Sequence, residues 1–167
     1  VSKTMEAPKK SAQEQTRWLN ENEQLMWLEL REFARGLPRA LDRQLLEDAD
    51  VSGVEYSILA AVSESSQGAL RSGDLAATLG WERSRVSHLL KRMESRGFLH
   101  RCAASSDGRG QEIALTQAGW EKIRGAAPGH VTMVREVIFD PLTPAAQNQL
   151  LETLILIRHA AEERGLW

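Results

Sequence analysis

Between Arg83 and Arg109 the chain carries seven basic residues (Arg83, Arg85, Lys91, Arg92, Arg96, Arg101, Arg109) and two acidic ones, Glu94 and Asp107. The full 167 residues hold 21 Lys and Arg against 23 Asp and Glu, a formal charge of -2, so this stretch is +5 and the remainder -7. A polyanionic partner would therefore be held by a local patch and not by global charge. The spacing gives the patch a direction. Val86, Leu89, Leu90 and Met93 fall at i, i+3, i+4 and i+7, the single apolar stripe of a helix that Gly97 ends. At about 100° per residue, Ser84, His88, Lys91 and Ser95 point away from that stripe, with Arg85, Ser87 and Arg92 on its flanks. Hydroxyls, an imidazole and cations on one outer face suit hydrogen bonding to, and neutralisation of, an anionic surface.

Other chemistries find less footing. Cys102 is the only cysteine, which excludes an internal disulfide framework and a cysteine-only zinc site and suits a reducing compartment. As a thiol sensor it would need cations to lower its pKa, and only Arg101 and His100 are close in sequence. The four histidines (His88, His100, His130, His159) show no close metal-ligand spacing, so no metal or other cofactor is expected. No nucleophile elbow, phosphate loop or zinc-helix motif gathers Ser, His and Asp, and the chain is not expected to be an enzyme.

The elements that must position the cationic face follow from periodicity and punctuation. Val1 to about Gln15 is polar, with Pro8 and Lys9-Lys10, and reads as a solvated tail without the apolar run of a signal peptide. Leu150–Ile157, the most apolar stretch, is interrupted by Glu152 and Thr153 and is too short to cross a bilayer, so a cytoplasmic protein without a membrane partner is expected. Trp18 to about Ala49 reads as a helix, with a kink or break predicted near residues 35–38 where Gly36 and Pro38 fall. Ser52-Gly53-Val54-Glu55 has capping-box spacing, with Val51 and Tyr56 placed as a hydrophobic staple, and opens a second helix. A short third helix is predicted from a Ser72 cap to Gly80. After the cationic helix, Phe98–Ala103 and Gln111–Leu115 read as a two-stranded hairpin with a basic tip, Ser105 to Gly110. Thr116 caps a fifth helix running towards Phe139, with a bend expected near Gly125, Pro128 and Gly129. Thr143-Pro144 opens a last helix to about Arg164.

Three helices, the last cationic, followed by a hairpin with an arginine near its tip describe a winged helix-turn-helix. A helix fits the major groove of duplex DNA, and a thin hairpin beside it reaches phosphates or the minor groove. Asp74-Leu75-Ala76, Leu79-Gly80, Ser84-Arg85-Val86-Ser87, Met93-Glu94-Ser95-Arg96-Gly97 and Arg101, then Asp107-Gly108-Arg109 and Leu115-Thr116-Gln117-Ala118-Gly119, resemble the MarR family of transcriptional regulators over about residues 20–165. The resemblance implies a homodimer, built from the first and last two helices, that binds a pseudo-palindromic operator and is released by a small ligand or by oxidation. It departs from the family's pattern at Glu82, where a capping Ser or Asp is common, and at Pro38.

The reading is thus a mainly α protein with a small two-stranded β-wing. A tail (residues 1–16) precedes an N-terminal dimerisation helix (17–50), a winged helix-turn-helix domain (51–115) and C-terminal dimerisation helices (116–167). The expected function is a sequence-specific DNA-binding repressor. Ser84, Arg85, Ser87, His88 and Lys91 would enter the major groove, and Asp107 would aim Arg109 from the wing. Trp27, Arg31, Tyr56 and His130 are candidates to line a pocket for a small aromatic or amphipathic effector. The alternatives are a winged-helix protein-interaction module and a redox-sensing regulator using Cys102.

Overall fold

The computed structural model describes residues 16–66, 68–103 and 111–166. These fall into two compact units, one up to Leu37 and one from Pro38 onwards. Helix α1 (Glu21–Ala49) is followed by α2 (Gly53–Ser63), strand β1 (Ala69–Arg71), α3 (Ser72–Leu79), α4 (Arg83–Ser95), β2 (Leu99–Ala103), β3 (Gln111–Leu115), α5 (Gln117–Val134) and α6 (Pro144–Glu163). A five-residue π-helical turn, Arg135–Phe139, extends α5. No described helix is long and apolar enough to cross a membrane.

Helix starts follow local chemistry. At α1, Asn20 and Glu23 exchange side-chain to backbone hydrogen bonds of 2.9 Å in each direction, a capping box that the sequence reading passed over. The break predicted at residues 35–38 does not end α1, which carries Pro38 inside it. Proline removes one donor from the helical ladder, and the leucine- and arginine-rich turns on either side are good helix formers that carry it through. Ser52 caps α2 as expected, with both halves of its box formed. Ser72 is not the cap of α3: it lies inside the helix, and Arg71 takes the cap position without a side-chain bond. The cause is β1, whose last residue is Arg71 and whose extended backbone fixes where the helix can begin. Thr116 and Thr143 cap α5 and α6 by accepting from Gly119 and Ala146. Pro128 lies inside α5, which runs unbroken past Gly125 and Gly129 to Val134 before the π turn begins.

The predicted hairpin is present, and a third strand joins it to give an antiparallel sheet in the order β1-β3-β2. Leu99 pairs with Leu115 and Leu70 with Ile113, so the apolar positions of the sheet meet on one face. They close on a core of Ile58, Leu59, Val62, Leu75, Val86, Leu90, Met93, Phe98 and Ile123. This core is what holds α4: Val86, Leu90 and Met93 are fully buried and Leu89 is half-buried, which leaves the opposite face outward. Gly119 locks the sheet to α5, since a Cβ there would stand 2.0 Å from the Phe98 carbonyl oxygen. Any other side chain would separate α5 from the first residues of the wing.

Candidate nucleic-acid interface

The residues that the sequence assigned to DNA contact divide into those the structure leaves outward and those it does not describe. Ser84, Arg85, Ser87, His88 and Lys91 are all exposed on α4. The Ser87 hydroxyl donates to the Arg83 carbonyl at 2.9 Å, so its own lone pairs still face out. Asp107 and Arg109, between β2 and β3 in the sequence, lie outside the described residues.

Charge counting along the sequence overstated what α4 presents outward. Arg92 donates to Glu55 Oε1 at 3.2 Å, and Arg96 donates to both Glu55 oxygens at 3.0 and 3.1 Å. Arg96 also reaches the Asp50 carboxylate at 2.8 Å and the Asp50 carbonyl at 3.0 Å, and stacks 4.6 Å over Phe98. Arg101 pairs with Glu94 at 3.4 Å. The hub is Glu55, which is only 2% exposed and also accepts from the Ser52 backbone and hydroxyl at 3.0 and 2.8 Å. Burial raises its carboxyl pKa, but the Ser52 hydrogen bonds and the Arg96 guanidinium outweigh burial and bring it below its ordinary value, so it is charged. The network has a second effect at the C-terminus of α1, where Arg96 and Lys122 satisfy the terminal carbonyls of Asp50 and Ala49. Cations there complement the negative end of the helix dipole.

The N-terminal half of α4 is arranged differently. Among the described residues, Arg83, Arg85 and Lys91 have no carboxylate partner, and the Arg85 guanidinium sits 4.6 Å from the centre of the Trp81 ring. Glu82 takes the cap position of α4 with no side-chain hydrogen bond, so the backbone N–H groups of the first turn have no side-chain partner there.

With this geometry in place, the likeness to known proteins is specific. Residues 49–110 match the MarR family profile. The chain is 41% identical to Sco3205, a MarR family transcriptional regulator from Streptomyces coelicolor crystallised in complex with DNA; the match covers 87% of this chain and 91% of that one, with a TM-score of 0.80. The chain belongs to the MarR family. AbsC, a second MarR family regulator from Streptomyces coelicolor, is 36% identical over 90% of this chain and 99% of its own, with a TM-score of 0.81. The uncharacterized HTH-type transcriptional regulator YfiV of Bacillus subtilis is 27% identical over 114 residues, 68% of this chain and 69% of YfiV.

The four candidate effector residues are placed in two groups. Trp27 and Arg31 lie on the first half of α1, both exposed, in the compact unit that ends at Leu37. Tyr56 on α2 and His130 on α5 meet in the other unit, with ring centres 4.4 Å apart. Burial pushes the Tyr56 hydroxyl pKa up and the His130 imidazole pKa down, so both are neutral near pH 7. His130 Nδ1 is buried without a hydrogen-bond partner among the described residues. His130 also borders a cavity of about 340 Å³ with Val131, Val134, Arg135 and Phe139. Arg135 and Phe139 escaped the sequence reading because they belong to the π turn, whereas Val134, four residues after His130 on α5, was within reach of helical periodicity and was missed. Cys102 is half-buried in β2, its thiol 3.6 Å from the Glu112 carbonyl.

Proposed function

We propose that this MarR family transcriptional regulator binds a pseudo-palindromic operator as a homodimer, with the N-terminal half of α4 in the major groove and Arg109 of the wing on the flanking backbone or minor groove. The observation that carries this reading is the outward face of α4, where Ser84, Arg85, Ser87, His88 and Lys91 are exposed while the arginines nearer its C-terminal end are held by Glu55. The DNA complex of the 41% identical Sco3205 supports it. Two copies would place their recognition helices about 34–36 Å apart, one turn of duplex.

Dimerisation draws on α6, where Leu151, Leu154, Leu156 and Ile157 are exposed on more than one side of the helix. A face of that composition is the kind that a second copy covers. Repression is the output proposed, relieved by a small aromatic or amphipathic compound. The cavity beside His130 supports that choice: its walls are largely apolar, with His130 and Arg135 as polar lining residues.

The test of the DNA reading is binding of the intact chain to duplexes enriched from a random-sequence pool, across a salt series. Affinity should fall linearly in log Kd against log salt, and sedimentation at micromolar concentration should give a dimer. Binding that ignores salt, or a monomer, contradicts the reading. For the effector, reciprocity sets the criterion: a releasing compound must bind more weakly, by the same factor, when operator is saturating.

A further inference from the structure

We propose that Trp81 is a positioning residue for sequence readout, acting through Arg85 and directing that arginine to a guanine in the major groove. The proposal rests on the DNA-binding reading above and names a residue and a base preference within it.

Trp81 is fixed from two sides. It follows Gly80, whose φ of 64° gives the left-handed turn that closes α3, and its backbone N–H donates to the Ala76 carbonyl at 3.0 Å while that of Gly80 donates to Ala77 at 3.2 Å. These are the two hydrogen bonds of a Schellman motif, which leave the residue after the glycine with a defined direction. Trp81 also stands immediately before the Glu82 cap of α4, and its half-buried ring packs against the core cluster. One indole is therefore shared between the end of one helix and the start of the next. Its place does not depend on the exposed residues around it.

Arg85, four residues on, lays its guanidinium over that ring at 4.6 Å. An exposed arginine otherwise samples many rotamers, and ordering it on binding costs free energy. Holding the cation over an anchored indole removes part of that cost before DNA arrives, and it uses no N–H donor on a carboxylate among the described residues, so the donors stay available. A guanidinium presenting its edge matches the O6 and N7 acceptors of guanine in a bidentate pair. Arg96 is held away from this task by Glu55 and Asp50, and Arg92 leans towards Glu55 with no described aromatic platform beneath it. Arg83 and Lys91 lack a described aromatic platform, which suits them to phosphates.

The experiment is a double-mutant cycle on duplex binding. Wild type, Trp81→Phe, Trp81→Leu and Arg85→Ala, together with Arg85→Ala combined with each Trp81 change, are titrated with the duplex enriched by the wild-type chain and with a mixed-sequence duplex of equal length. Each position of the enriched duplex is also varied. Trp81→Leu keeps an apolar anchor without a π face, and Trp81→Phe keeps a weaker one. Trp81→Leu should weaken the enriched duplex by roughly fivefold and Trp81→Phe by less. Both should leave mixed-sequence affinity unchanged, and the loss should concentrate at the one G·C pair where Arg85→Ala also loses preference. In the Arg85→Ala background neither change should matter further. Equal loss on both duplexes, or the same loss with and without Arg85, overturns the proposal. Absence of salt-dependent duplex binding by the wild-type chain instead overturns the DNA reading on which it rests.

Discussion

The two ends of α4 use arginine for opposite purposes. At the C-terminal end, Arg92 and Arg96 donate to Glu55, and Arg96 also to Asp50, which ties the helix to the end of α1 and the start of α2. At the N-terminal end, Arg83 and Arg85 have no described carboxylate partner, and Arg85 rests on Trp81. The same residue type on one helix therefore acts as an internal tether at one end and as an outward donor at the other. What decides is the neighbour: a nearly buried carboxylate captures a guanidinium, whereas an aromatic face holds it and leaves its hydrogen-bonding edge free.

Substitutions can break this contrast. The largest effect is expected from Glu55→Ala, which leaves Arg92 without its anion and Arg96 with Asp50 alone, and removes half of the α2 capping box. It should lower unfolding free energy by about 3 kcal/mol, below the upper end for buried pairs because Arg92 and Arg96 still reach water. Denaturant unfolding measures this, and a change no larger than that of an ordinary surface substitution would falsify the tether. Arg109→Ala should weaken operator binding by about 1–3 kcal/mol with no loss of thermal stability. An unchanged affinity removes the wing from the interface. Lys91→Ala is expected to do less, lowering affinity on all sequences alike and reducing the salt slope by about 1. Loss confined to one operator position would make Lys91 a base reader.

The smallest effect is a pH dependence. The Glu55 carboxyl is lowered from its ordinary value of 4.5 by Ser52 and Arg96 acting against the rise due to burial, so between those two values the unfolded chain binds the extra proton. Its contribution to stability is complete above pH 4.5 and fades as pH falls through its lower value in the folded state. Thermal midpoints followed downward in pH should show an acid loss that Glu55→Gln diminishes. Equal acid curves for the two proteins would mean that Glu55 carries no charge-dependent role.

Much of this arrangement was legible in the chain because it is local. The apolar stripe Val86-Leu89-Leu90-Met93, the Ser52-x-x-Glu55 box, the Thr116 cap and the left-handed glycine at residue 80 each follow from spacing within a few residues. What escaped is non-local or too short to show a period. Glu55 was visible as a cap, but its arginine partners lie 37 and 41 residues away, so Arg92, placed on the flank of the apolar stripe, and Arg96 were counted in the basic patch without their carboxylate. Strand β1 has three residues, too few for alternation, and it displaced the expected Ser72 cap. Trp81 did leave a signal that was overlooked: an aromatic residue four before an arginine, across a helix start, is a stacking pair in sequence. Pro38 and Pro128 do not break their helices, since one missing donor does not end a helix whose flanking turns are strong.

The most direct test sets Arg85→Ala beside Arg96→Ala, each measured for affinity to the enriched duplex and for thermal midpoint under one salt condition. The division of α4 predicts that Arg85→Ala loses about 1–3 kcal/mol of binding with an unchanged midpoint, and that Arg96→Ala lowers the midpoint clearly. An Arg85→Ala protein that binds as tightly as wild type, or an Arg96→Ala protein with wild-type stability, would contradict it.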